Sequence, residues 1–422
     1  MKTIAIIGAG ASGLMTAVTI LENNQNDNYH IHIFEKNLTP GKKVIISGGG
    51  RCNVTTGITD KKELLSRYTR GAEFIKPALG KFSPKKCREW FESHSIPLKC
   101  EADNRVFPVS DNGRDIVGVF EKVFLLYKGK ITIHYGEGVS QVYSEDAGFR
   151  IKTEKGVYQT NILVITTGGN AYSHTGSNGD GYAFARTLGH NITTLGPSLS
   201  SFLTTDEWMK ICSGTSFEKG NISFEVHGKN QSFSGGILLT HFGISGPLTF
   251  RVSSHLAFEL IDKNHPKKIL FAPIADIKKE DWEQFLKNEF ATHPKKTLIN
   301  ILTSQLSRKF AESFCNHFFS HLEGVFSGSI SRNDREKVSN LLGNGIPISL
   351  VERRPGDEFV TAGGVLTDEI SEETFESKIK KNLYFAGEIL DVDGVTGGFS
   401  LQICWSSGYS AGKDIAKKIA LQ

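Results

Sequence analysis

The run TIAIIGAGASGLMTAVTIL, residues 3–21, sets the fold class. Thr3 to Ile7 is short, apolar and β-branched, as a strand buried on both faces requires. A glycine turn follows, and Leu14, Val18 and Leu21 then recur at helical spacing. Gly8, Gly10 and Gly13 match G-x-G-x-x-G. The first allows a tight turn, the second lets backbone touch a pyrophosphate, and the third lets the helix pack on the strand. A phosphate group would meet the free N–H groups of Ala11, Ser12 and Gly13 at the positive end of the helix dipole. The segment is uncharged and resembles a secretory signal, but glycines and hydroxyl residues interrupt the apolar run.

Working outward, a second β-type run, IHIFE, ends on Glu35, about twenty residues beyond the last glycine, where a ribose-binding carboxylate belongs. Lys36 beside it joins the cofactor candidates. A nicotinamide-binding domain would go on into further βαβ units. Here the chain runs instead through KNLTPGKKVIISGGGRCNVT, residues 36–55. In flavoproteins with this βαβ start, such a loop passes beneath the ribityl chain and the flavin. The expected cofactor is therefore FAD. Lys43, Ser47, Gly48, Gly49, Arg51, Cys52 and Asn53 are candidates for contacting it, and Cys52 is also a catalytic candidate.

Later segments fit the same ligand. ILVITTGG (162–169) reads as a buried strand ending against the cofactor at Thr167 and Gly168. KITIHYGEGVSQV (130–142) reads as two short strands, with backbone near Val139 facing an adenine edge. GSNGDGYAFARTLGH (176–190) reads as a turn opening a helix near Asp180. In NLYFAGEILDVDGVTGGFSLQICWSSGYSAG (382–412) a strand delivers Gly387 and Glu388, and a loop carries Asp391, Asp393, Gly394 and Gly398. A helix then begins near Phe399, so its first residues, with Ser400 and Leu401, would lie under the flavin pyrimidine. There, N–H groups stabilise the negative charge of the reduced ring. The paired aspartates lack the further oxygen ligands of a calcium site, so no metal is expected.

Composition bounds the remaining choices. The 422 residues allow two or three domains, with 39% hydrophobic and 22% charged residues as in a soluble globular chain. A net charge of +4 does not point to a nucleic-acid partner. The six cysteines show no C-x-x-C spacing and read as reduced thiols of a cytoplasmic protein. No stretch is long and apolar enough to span a membrane, and the oligomeric state is left open.

The GKKVIISGGGRCNVT loop, THFGISGP (240–247), VTAGGV (360–365) and LYFAGEILDVDGVTGGFSLQ (383–402) together resemble the BaiN-like, or YhiN-type, family of bacterial FAD-dependent oxidoreductases. The resemblance extends over nearly the whole chain. It implies a discontinuous FAD domain with an inserted β-rich part and an inserted helical part. Members differ in chemistry, from aminoacetone oxidation to reduction of an unsaturated bile-acid intermediate, so the substrate does not follow from the resemblance. Two departures stand out: members usually carry Asn where this chain has Ser400, and Met where it has Phe375.

The expected architecture is α/β: a Rossmann-like FAD-binding domain with a glutathione-reductase-type βαβ start, residues 1–190 plus 346–422. Residues 191–272 form a β-rich cap and 273–345 a helical subdomain. Within the insert, His241 is the candidate acid or base, because an imidazole titrates near neutrality, and Ser245 is a candidate hydrogen-bond donor. Arg353 or Arg354 would meet an anionic substrate. The leading function is hydride transfer between flavin N5 and a small organic substrate, by amine oxidation or reduction of an activated C=C bond. Reoxidation would use oxygen or a nicotinamide, which leaves an NAD(P)H reductase and an oxygen-using oxidase both open; with no second nucleotide motif, NAD(P)H would bind only transiently in the open substrate pocket. The alternatives are an FAD protein that modifies RNA and a flavin-binding protein without turnover.

Overall fold

A computed structural model describes residues 1–24 and 26–421, which fall into two compact units, Met1–Pro197 with Phe359–Gln422, and Ser198–Glu358. In the first unit, strands Leu383–Phe385, Ile162–Ile165, Lys2–Ile7, Tyr29–Glu35 and Ile131–Tyr135 lie side by side in that order, all parallel. Ile4, Ile6, Ile33, Leu163 and Phe385 have no solvent exposure, as the near-continuous apolar runs demand. A three-stranded antiparallel meander, Val139–Glu145, Gly148–Thr153 and Val157–Thr160, follows the last sheet strand.

The helix after the glycine turn, Ala11–Asn23, packs against the C-terminal helix Gly397–Ala420. Two glycines one turn apart permit this. A Cβ on Gly408 would lie 2.6 Å from the Ser12 carbonyl oxygen, and one on Gly412 would lie 2.8 Å from that of Thr16. The helices therefore meet backbone to backbone, and any side chain at either position would drive them apart. At its far end the C-terminal helix is tied to the sheet, where the Tyr384 hydroxyl meets Asp414 at 2.7 Å.

The second unit is built on a closed six-stranded barrel of Phe202–Thr204, Gly243–Ser245, Lys229–Leu239, Ser216–Val226, Lys267–Ala272 and Ile346–Arg353, in that order around the barrel. Its core is continuous with the helical part: Phe202, Phe271, Trp282, Leu286 and Phe310 belong to one buried cluster. This differs from the boundaries read in the sequence. Ile346–Arg353, assigned there to the FAD domain, closes the barrel by pairing with Lys267–Ala272 and Phe202–Thr204. The β-rich and helical segments form one unit because neither buries its apolar face alone. No helix among the described residues is long and apolar enough to cross a membrane.

Candidate functional site

The glycine turn is shaped by three different constraints. Gly8 has φ +103°, and a Cβ there would sit 2.6 Å from the Thr166 carbonyl oxygen. A Cβ on Gly13 would collide with the Gly8 oxygen at 2.0 Å, which is the close helix–strand approach the motif is built for. Gly10 is the exception: a Cβ would meet nothing within 4 Å. The fold therefore does not need glycine at position 10 for packing, and the space above its backbone is open. The helix that starts here has neither a side-chain cap nor an acidic residue in its first turn, so the N–H groups of Ala11, Ser12 and Gly13 remain available to an anion.

Glu35 is 8% exposed. Its Oε2 accepts the Ala9 N–H at 2.9 Å, and its Oε1 accepts the Asn37 backbone N–H at 2.8 Å and the Asn37 amide at 2.7 Å. The carboxylate is thus held in one orientation with acceptor capacity to spare. Lys36 turns away from it, donating to Asn178 at 2.9 Å and Asp180 at 2.5 Å. The Gly136 and Glu137 N–H groups donate to the Asn37 and Glu35 carbonyls, so the backbone leading to Val139 runs beside the acid.

In the SGGGRCN loop, Gly48, Gly49 and Gly50 all have left-handed φ, at 58°, 72° and 88°. A Cβ on Gly49 or Gly50 would meet nothing within 4 Å, so bare backbone faces open space here too. The Ser47 hydroxyl folds back on the Val44 carbonyl at 2.8 Å. The Arg51 guanidinium stacks 3.8 Å above the Phe107 ring and is engaged by Glu101 and Asp111. Cys52 is fully buried, and burial pushes its thiol up to about 12. A thiol kept protonated in this way is a packing group and not a nucleophile. Asn53 accepts the Val106 N–H through Oδ1 at 3.3 Å and lies against the start of the C-terminal helix: a Cβ on Gly398 would be 2.8 Å from its amide nitrogen.

The C-terminal segment closes the arrangement. A Cβ on Gly387 would lie 2.5 Å from the Ser12 hydroxyl. Glu388 pairs with Lys43 at 2.7 Å and accepts the Thr361 N–H at 3.0 Å. Thr167 adjoins Gly8 and keeps a buried hydroxyl with no partner among the described residues. Gly168 has φ +74°, and a Cβ there would approach the Ser177 hydroxyl to 2.8 Å. Asp393 departs from the expectation. It is 1% exposed and gripped through both oxygens by Arg70, so its charge is spent inside the fold. Its neighbour Asp391 keeps a buried oxygen without a partner among the described residues, and burial raises its carboxyl above the usual range.

The helix Gly397–Ala420 also starts without a side-chain cap, and a Cβ on Gly397 would meet open space. Phe399 packs edge-on against Tyr68, Leu401 is half-buried, and the Ser400 hydroxyl turns back towards the Thr396 carbonyl at 3.4 Å. Any contact from position 400 would therefore come from backbone. Phe375 is a packing residue against Phe74. Two uncapped helix starts, a fixed ribose-type carboxylate and bare glycine backbone facing open space fit a dinucleotide.

In the second unit His241 is exposed at the tip of a tight Thr240–Gly243 turn, and Ser245 lies 2.9 Å from Ser201, hydroxyl to hydroxyl. Arg353 is half-buried, with its guanidinium on the carbonyls of Leu256 and Glu259, and is a helix cap instead of a ligand contact.

A family model described as HI0933-like protein Rossmann domain matches residues 2–414. The chain belongs to the HI0933-like family. This HI0933-like chain is 27% identical over 424 residues to the 3-dehydro-bile acid delta(4,6)-reductase of Clostridium scindens, covering 99% of this chain and 100% of that protein. The BaiN-like motifs noted in the sequence agree with that match. It is also 27% identical over 415 residues to the ribosomal RNA dihydrouridine synthase of Escherichia coli, covering 97% of each. Among solved structures, 3-ketosteroid delta1-dehydrogenase of Sterolibacterium denitrificans matches with a TM-score of 0.52 at 11% identity, over 99% of this chain and 100% of that one. That likeness is one of fold. Within the HI0933-like fold, Asn37, Ser201 and Phe242 were not singled out from sequence. Asn37 was signalled only by adjoining Glu35, Phe242 only by lying within THFGISGP, and Ser201 carries no motif of its own.

Proposed function

We propose that this chain is an FAD-dependent reductase of a carbon–carbon double bond conjugated to a carbonyl group. The observation that carries the reading is the convergence of distant segments, Gly8–Gly13, Lys43–Asn53, Thr167–Gly168 and Gly387–Gly398, with two uncapped helix starts and with Gly10, Gly49, Gly50 and Gly397 unobstructed by protein atoms. When bound, FAD supplies reversible hydride transfer. In this reading Glu35 accepts the ribose hydroxyls, and the N–H groups of Ala11 to Gly13 receive the pyrophosphate. The backbone of Gly397 and Gly398 offers N–H groups and the helix dipole to negative charge on the flavin. His241 delivers the proton that balances the hydride on the substrate, and NAD(P)H is the source of the electrons.

Both named relatives support the reductive direction over amine oxidation. Reduction of a 4,6-dienone and of uracil each add a hydride and a proton across a C=C bond conjugated to a carbonyl. A second reading is favoured by the ribosomal RNA dihydrouridine synthases, matched over nearly their full length: the reduced base is a uridine within RNA. The test is to reduce the FAD-loaded protein anaerobically with NADH or NADPH and then add acceptors. Loss of the visible flavin absorbance, and its return on adding a conjugated enone, support the small-molecule reading. Return only on adding ribosomal RNA, with dihydrouridine formed, supports the second. If neither nicotinamide bleaches the flavin, the reductase assignment is wrong.

A further inference from the structure

The strand Ile346–Arg353 and the residue after it carry consecutive arginines that the fold sends to different tasks. Arg353 caps a helix, as described above. Arg354 is exposed, and its guanidinium lies 4.4 Å from the centre of the Phe242 ring. Among the described residues no salt bridge or side-chain hydrogen bond engages it, although Glu352, Asp357 and Glu358 flank it in sequence. Its place is fixed by backbone, because the Arg354 N–H donates to the Ser201 carbonyl at 2.9 Å.

Strand register then assembles a group of donors. Phe202 pairs antiparallel with Ile244 on one side and with Arg353 on the other. One residue back, Ser201 therefore faces Ser245 and Arg354 at once. The Ser201 hydroxyl, itself buried, donates to that of Ser245 at 2.9 Å, which leaves the hydrogen of the half-buried Ser245 hydroxyl for another acceptor. Phe242 is presented by the Thr240–Gly243 turn, which is closed by backbone bonds and by the Thr240 hydroxyl at 3.0 Å from the Gly243 oxygen. His241 is the next residue on that turn.

We propose that Arg354, with the Ser201–Ser245 hydroxyl pair, is the site that recognises an oxyanion of the substrate, a carboxylate or a phosphate. A guanidinium presents paired donors that match such an oxyanion in two parallel hydrogen bonds. Stacking on Phe242 restricts the side chain before the ligand arrives while leaving its N–H edges unused, so less entropy is lost on binding. The proposal rests on the reading that the chain acts on an external substrate, and it concerns binding, not the hydride step.

The test is calorimetric titration of the full chain as purified with two pairs of probes: cholate beside its uncharged amide, and uridine 5′-monophosphate beside uridine. In at least one pair the anion should bind about tenfold more tightly than its neutral counterpart, as expected for a charge-assisted hydrogen bond. R354A should abolish that preference and R354K should keep part of it. R308A, which removes the same charge from a helix of the same unit, should leave it intact. A preference in the cholate pair identifies a carboxylated small molecule, and one in the nucleotide pair identifies phosphate. No preference in either pair, or one that survives in R354A, overturns the proposal. Flavin content, measured on the same samples, reports separately on the cofactor reading.

Discussion

The Lys43 ammonium lies 2.7 Å from the Glu388 carboxylate although 345 positions separate them in the chain. Glu388 has 11% of its side chain exposed, against 31% for Lys43, so removing the lysine leaves a mostly buried charge behind. K43A should cost about 1–2 kcal/mol in urea unfolding, and K43A/E388Q should cost less than the sum of the two single changes. Strict additivity would show that the pair does not hold the SGGGRCN loop to the C-terminal segment.

Asp393 makes a sharper case. Its carboxylate is held through both oxygens by Arg70, at 1% and 17% side-chain exposure. Breaking a pair this buried should cost about 3 kcal/mol or more, so D393N should lower the unfolding midpoint clearly. Flavin affinity of the fraction that remains folded should change little, because the carboxylate is already spent on Arg70. A stable D393N protein that binds FAD poorly would return Asp393 to the cofactor.

A histidine chain predicts how stability responds to acid. His32 Nδ1 is 2.9 Å from His134 Nε2, and His134 Nδ1 is 3.4 Å from Glu137. Burial first, then the neighbouring His30 and His134, pushes His32 down to about 4, and burial also lowers His134. An unfolded histidine titrates near 6.5. Between pH 6.5 and 4 the unfolded chain therefore holds more protons, and folding stability falls as pH drops through that window. The effect should be on the order of 1 kcal/mol, since the rings are partly solvated. Urea midpoints measured at pH 7 and pH 5 should differ less in H32Q than in the parent. An equal difference in the two proteins would remove His32 from the account.

Much of the cofactor-binding unit was legible because its signals are local. Gly8, Gly10 and Gly13 follow a strand and open a helix, and Glu35 closes the next strand, so position in sequence translates directly into geometry. The hold of Arg70 on Asp393 was not legible because the two lie 323 residues apart, and an acid near a glycine loop looks the same whether it faces a ligand or a buried arginine. Cys52 failed as a catalytic candidate for a related reason. Residue type shows a thiol, but only packing shows that it is buried and held neutral. The barrel was the least legible part. Its closing strand, Ile346–Arg353, lies beyond the helical segment from the strands it joins, and no local pattern reports such long-range pairing.

Gly10 separates packing from ligand binding. An added methyl there meets no protein atom within 4 Å, so G10A should melt with the parent chain while projecting into the space assigned to the pyrophosphate. Equilibrium titration of FAD into cofactor-stripped protein, for the parent and for G10A, tests the account most directly. The parent should take up one FAD per chain, and G10A should bind it at least about tenfold more weakly, the loss of roughly one charge-assisted hydrogen bond. A parent chain that takes up no FAD, or a G10A chain that takes it up as readily as the parent, would contradict the account.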